Sequence, residues 1–224
     1  YAGNNTGNLT FSFSAERTAS MARITENLGK EWMFLETLYR IYSTAGYNIA
    51  HVDVTAGLCE EHGIAPGDIE RIESTVNWLE TEYPSPAFPS RDPTPHVGSS
   101  HYYAAYGAVR RGFPLLKDVA RGIGEPDPPE VLDLMHRVTL TPSHRHPLFA
   151  PSVTIVLRDG RSLNRVATGR EFIWDFHEEV RRLNGIVEGI PISARQFEQL
   201  TDACRNLDGL DTASELLDLT VPAV

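Results

Sequence analysis

Leu28–Asp53 reads LGKEWMFLETLYRIYSTAGYNIAHVD, and its pattern changes twice. Trp32, Met33, Phe34, Leu35, Leu38, Tyr39, Ile41 and Tyr42 crowd large apolar groups into the first half. A buried strand or a connector between domains has this density. Ser43–Gly46 then turns the chain. From Asn48 onward Ile49, Val52, Ala56 and Cys59 recur at three and four, which predicts a helix. It should end near Glu61-His62, with Gly63 as its stop.

Upstream, residues 1–13 are rich in Gly, Asn and Thr and read as an extended arm. Ser20–Leu28 is expected as a short helix closed by Gly29. Downstream, Pro66-Gly67-Asp68 is a turn. Ile72, Ser74, Val76 and Trp78 then alternate with polar residues, the pattern of a half-buried strand. Prolines break Tyr83–Pro95 into a loop. Ser99–Gly112 reads as a helix carrying Tyr102, Tyr103 and Tyr106. Pro129 suits the first turn of another helix, running to about His136. A short strand at Val138–Leu140 follows.

Val153, Ile155 and Leu157 alternate up to Asp159-Gly160, and Ser162–Ala167 leaves on the far side, a hairpin signature. The end is helical. One stripe is Phe172, Phe176, Val180, Leu183 and Val187, the next is Phe197, Leu200, Cys204 and Leu207, and a short third is Leu210–Leu219. This order lacks regular βα alternation and fits α+β. The expected sheet is small and antiparallel.

The chain has 224 residues and a formal net charge of −10. That charge disfavours nucleic acid and anionic membrane as partners, since both call for a basic face. A local Arg and His cluster can still hold an anionic substrate. No apolar run approaches the roughly 20 residues of a membrane span, and no signal peptide is visible. Cys59 and Cys204 form no CxxC pair and read as reduced thiols of a cytoplasmic protein. His144-Arg145-His146 lacks a carboxylate or Cys at ligand spacing, so no metal is expected. Nucleotide loops and the G-x-S-x-G elbow of serine hydrolases are absent, and no cofactor is implied.

Six short elements occur in a telling order: Leu28-Gly29 with Trp32, Arg40-Ile41-Tyr42, Val52-Asp53, Pro66-Gly67-Asp68-Ile69, Ser100-His101-Tyr102-Tyr103, and Asp159-Gly160-Arg161. In order and approximate gaps they resemble the second half of the MmgE/PrpD family, which includes 2-methylcitrate dehydratase and cis-aconitate decarboxylase. The resemblance covers residues 20 to 220. It implies a connector over 1–30, an α+β lid over 31–168, and C-terminal helices over 169–224. In the family these elements pack on an all-helical domain that comes first. That domain is expected from a partner chain or from a longer parent, in an oligomeric assembly.

The resemblance also implies function: loss of water or CO2 from a small di- or tricarboxylic acid, or its isomerisation. A base removes a proton next to a carboxylate, and cations hold the developing charge. The departures are specific. The family's active-site Lys falls on Arg40, the Pro after it on Ser43, its His on Ile49, and the Pro of its Ser-x-Pro-Tyr element on Tyr102. Arg40 keeps a cation able to grip a carboxylate but cannot exchange protons near neutral pH. The candidate site is therefore Arg40, Tyr42, Tyr47, Ser99, Ser100 and Tyr103 around substrate, with His101 as the acid–base candidate. Ser99 alternatively only caps its helix. A non-catalytic subunit of such a complex and a carboxylate-binding module are the other readings.

Overall fold

The helix expected from Asn48 is α1, Gly46–Glu61, and Gly63 ends it with φ +60°. A computed structural model of the chain describes residues 26–31, 40–42, 44–82, 95–115, 124–171 and 173–222. The chain forms two compact units, Tyr1–Leu38 and Tyr39–Val224. In the first unit, only 26–31 are described. There the Asn27 carbonyl accepts from the N–H groups of Lys30 and Glu31, and Gly29 sits at φ +78°. Most of the apolar run after Trp32, the proline-rich loop up to Thr94, and Phe172 lie outside the described residues.

The second unit is built on α1, which is buried nearly all round: Ile49, Val52, Leu58 and Cys59 are at most 2% exposed. Such a helix needs partners on several sides. One is α3, Ser100–Arg110, which crosses it most closely at Gly107. A Cβ there would stand 2.6 Å from the Val52 carbonyl oxygen and would also strike Thr55 Oγ1. The other is a sheet.

Strand β1, Ile69–Asn77, is central in that sheet, whose order is β2-β1-β3-β4, with β2 Val138–Ser143, β3 Ser152–Leu157 and β4 Ser162–Val166. Ile72, Ser74 and Val76 face the core as their alternation predicts. A register shift between Ile69 and Arg71 lets Ile69 face inward as well. The β3–β4 hairpin forms as expected: Leu157 N–H donates to Arg161 O (2.8 Å), and Gly160 takes φ +89°.

Two expectations change. The sheet is mixed rather than antiparallel, because β2 runs parallel to β1, with Ile72 opposite Val138. Between them the chain passes through α3 and α4, Pro129–Met135, and so returns in the same direction. Trp78 does not end the strand. It opens the short helix α2, Trp78–Glu82, because Asn77 Oδ1 accepts the Leu79 N–H (2.9 Å) and turns the chain out of the sheet. Trp78 is 38% exposed and its ring lies 5.1 Å from that of His144.

Three helices close the chain: α5 Phe176–Asn184, α6 Ala194–Arg205 and α7 Ser214–Thr220. Phe197 is the one buried residue among them, and Leu207, Leu217 and Val221 are more than half exposed. The architecture is thus α+β with a mixed sheet. No described helix is long and apolar enough to cross a membrane.

Candidate functional site

The first turns of α1 and α3 lie side by side, and one buried amide joins them. Asn48 is fully buried. Its Oδ1 accepts from Ser100 Oγ (2.8 Å), and its Nδ2 donates to Thr44 Oγ1 (2.8 Å) and to the Gly98 carbonyl (3.4 Å). Thr44 is in turn hydrogen-bonded to the Tyr103 side chain. Thr44 and Ser99–Tyr103, far apart in sequence, are thereby brought to one end of a helix pair. Neighbouring amide and hydroxyl groups satisfy one another there, so burial costs little.

Ser99 stands at the N-cap of α3, yet its hydroxyl does not cap the helix. It donates backward to the His96 carbonyl (2.6 Å) and lies 3.3 Å from His101 Nδ1. With its one proton given to His96, Ser99 accepts from His101. That assigns the proton of His101 to Nδ1. His101 is 3% exposed, and burial holds its pKa down at about 4, with His51 and His96 adding to the shift. It is neutral at pH 7.

His51 is its counterpart in α1. Its Nδ1 donates to the Tyr47 carbonyl (2.8 Å), so its Nε2 accepts from Ser74 Oγ on β1 (2.9 Å). Burial is complete and lowers this pKa to about 4 also. Asp53, two residues on, faces away and pairs with Arg182.

The other expected residues divide. Tyr42 and Tyr103 line a cavity of about 620 Å³, together with Thr44, Gly98, Tyr106 and Ile186. Tyr42 stacks on Phe113 with centroids 3.5 Å apart. Tyr102 also lines the cavity and donates its hydroxyl proton to Asp127 Oδ1 (2.7 Å). Tyr47 faces elsewhere and stacks on Phe149, centroids 5.5 Å apart. Arg40 is exposed. Ser99, Ser100 and His101 sit behind the cavity wall, at 0%, 2% and 3% exposure.

A further acid lies outside this group. Glu80 on α2 is 3% exposed; its Oε1 accepts from the Phe149 N–H (3.0 Å), and its Oε2 meets no polar partner among the described residues. Burial pushes its pKa up to about 8, against backbone hydrogen bonds from Phe149 and Asn77. Phe149 holds φ +59° beside it. Among the described residues no three His, Cys, Asp or Glu side chains stand together as metal ligands.

Sequence reasoning missed Asn48, Thr44, the His51–Ser74 pair and Glu80. Only Glu80 carries a local signal: Asn77 followed three residues later by Glu80 is a helix-start pattern. The remainder depend on contacts between distant segments. No family model matches this sequence, and no curated protein matches it.

Proposed function

We propose that this chain is the lid half of a lyase or isomerase resembling the MmgE/PrpD family, acting on a small di- or tricarboxylic acid. The observation that carries the reading is the Ser100–Asn48 hydrogen bond, which holds the Ser99–Tyr103 element against the start of α1, a few residues after Arg40–Tyr42 in the chain. In this proposal Arg40 grips a substrate carboxylate, and Tyr42 and Tyr103 present phenol groups from the adjoining wall. The guanidinium stabilises the negative charge that develops when a proton leaves the carbon next to that carboxylate. Arg40 cannot itself take the proton. The base is expected on the all-helical half, supplied by a partner chain or by another segment of a longer polypeptide. His101 enters as a neutral group that positions Ser99 behind the wall.

A non-catalytic assembly role is the second reading. Ile49 favours it: the residue at the family's His position is 1% exposed and packs with Tyr42 and Ala50. The test is the native mass and composition of the assembly that contains this chain. The proposal expects an all-helical, acid- and histidine-bearing half in stable stoichiometric association. A monodisperse monomer of the native full-length chain without such a half contradicts it.

A further inference from the structure

Arg182 ties the C-terminal helices to α1 through a partly buried ion pair. It lies on α5 with 16% of its side chain exposed, and its Nη1 reaches Asp53 Oδ2 (3.0 Å) and Oδ1 (3.1 Å). Its Nε donates to Glu178 Oε1 (2.7 Å). The guanidinium stands 4.3 Å over the Trp174 ring, a cation–π distance. Trp174 meets Tyr42 edge to face (6.4 Å), and the Arg182 charge acts on the Tyr42 hydroxyl, lowering its pKa against the rise that burial imposes. The Arg182 Nη1 thus reaches α1 through Asp53, and its Nε is held by Glu178 within α5.

The segment that Arg182 anchors is otherwise thinly attached. Helix α5 has no buried residue. Its apolar ties are Trp174 and Ile186, both only partly buried, packed on the small cluster of Tyr42, Ile49 and Ala50. Yet the residues immediately after Arg182 are part of the cavity wall: Leu183, Ile186 and Glu188–Pro191 line it together with Tyr102, Tyr103 and Tyr106. A nine-residue helix does not hold together once undocked, since isolated helices of this length are marginal.

We propose that Arg182 is a latch, and that Leu183–Pro191 is a movable wall which opens the tyrosine-lined cavity when the Arg182–Asp53 contact is released. This holds whether or not the lid reading does, because it depends only on contacts within the chain. Opening exchanges the Arg182–Asp53 and Arg182–Tyr42 contacts for water, and Trp174 and Ile186 leave the cluster together. Such sub-global opening draws on the least buried part of a structure.

The test is backbone hydrogen exchange of the full chain carrying Arg182→Leu, with hydroxyl-radical labelling of tyrosines as a second readout. The expected result is exchange at least about tenfold faster across Phe176–Ile190, because breaking a buried pair leaves Asp53 unpaired, with Ile69–Asn77 unchanged. Labelling of Tyr42 and Tyr103 rises while buried Met135 stays protected. Arg182→Lys keeps the charge without the two-pronged grip and is expected to fall between, which keeps the test available should the leucine variant fail to fold. Unchanged exchange over 176–190 overturns the latch. So does equal acceleration in 69–77, which marks global destabilisation, or unchanged tyrosine labelling, which means the wall does not open the cavity.

Discussion

Helices α1 and α6 are opposite solutions to the same problem. Helix α1 has no side-chain cap, no acid in its first turn and no base in its last, and it is buried on nearly every side. Helix α6 has Phe197 as its one buried residue and begins with a complete capping box, Ser193 exchanging hydrogen bonds with Gln196. Helix α5 resembles α6: Asp175 caps the Glu178 N–H (2.8 Å), with acids in the first turn and Arg181 and Arg182 in the last. The central helix is held by what surrounds it; α6 leans on its own ends, and α5 on its ends together with the Arg182–Asp53 pair. Damage should therefore spread in the first region and stay local in the second.

The largest break is expected where α1 and α3 touch. Gly107→Ala pushes a methyl group into the Val52 backbone, which cannot yield as a flexible side chain does. A loss of about 3 kcal/mol or more is expected for such overpacking against main chain. Urea denaturation measures it. A variant within 0.5 kcal/mol of the parent, to order of magnitude, breaks the comparison.

Next in size is pH. His51 and His101 are held near pKa 4 in the folded chain and rise to about 6.5 when it unfolds. Below 6.5 the unfolded chain binds more protons, so their stabilisation is complete above 6.5 and is lost as pH falls toward 4. Glu80 has the opposite sign: its folded pKa of about 8 exceeds the unfolded 4.5, so stability falls as pH rises from 4.5 through 8. Two histidines outweigh one glutamate below 6.5, and Glu80 acts alone above it. Stability is expected to peak near pH 6.5, with slopes of up to about 1.4 kcal/mol per pH unit per group. Glu80→Gln should flatten the alkaline limb and steepen the acid limb, because Glu80 opposes the two histidines between 4.5 and 6.5. Urea midpoints from pH 5 to 8.5 give both limbs; an unchanged alkaline limb in the variant removes Glu80 from the account.

The smallest effect belongs to the terminal helices. Ser193→Ala removes one half of the α6 capping box and is expected to cost about 1 kcal/mol. Hydrogen exchange should quicken within Ala194–Arg205 while β1 and α3 keep their rates. If β1 exchange quickens equally, the two regions are one cooperative unit and the contrast fails.

Local signals account for what could be read in advance. Pro129 placed α4, Gly63 ended α1, and Asp159-Gly160 set the hairpin, each through backbone geometry fixed within a few residues. The parallel pairing of β1 with β2 had no such signal, because the intervening helices decide it. Trp78 fitted the alternation of β1 so well that the Asn77 cap beneath it was overlooked. At the site, the helix start at Ser99–Ser100 was legible from its residues. Its meeting with Asn48 was not, because an Asn inside a helix does not announce a partner on another. His101 was legible as a titratable group, but its burial against His51 depends on how three elements pack.

In the proposed lyase this chain completes a carboxylate site through Arg40. The most direct test is turnover of a panel of di- and tricarboxylic acids by the native assembly, compared between the parent chain and Arg40→Ala. The account predicts that one acid is converted, and that Arg40→Ala raises KM or lowers kcat at least about tenfold, the scale of one lost charge-assisted contact, with the mass of the assembly unchanged. No turnover of any acid, or kcat and KM untouched by Arg40→Ala, contradicts it.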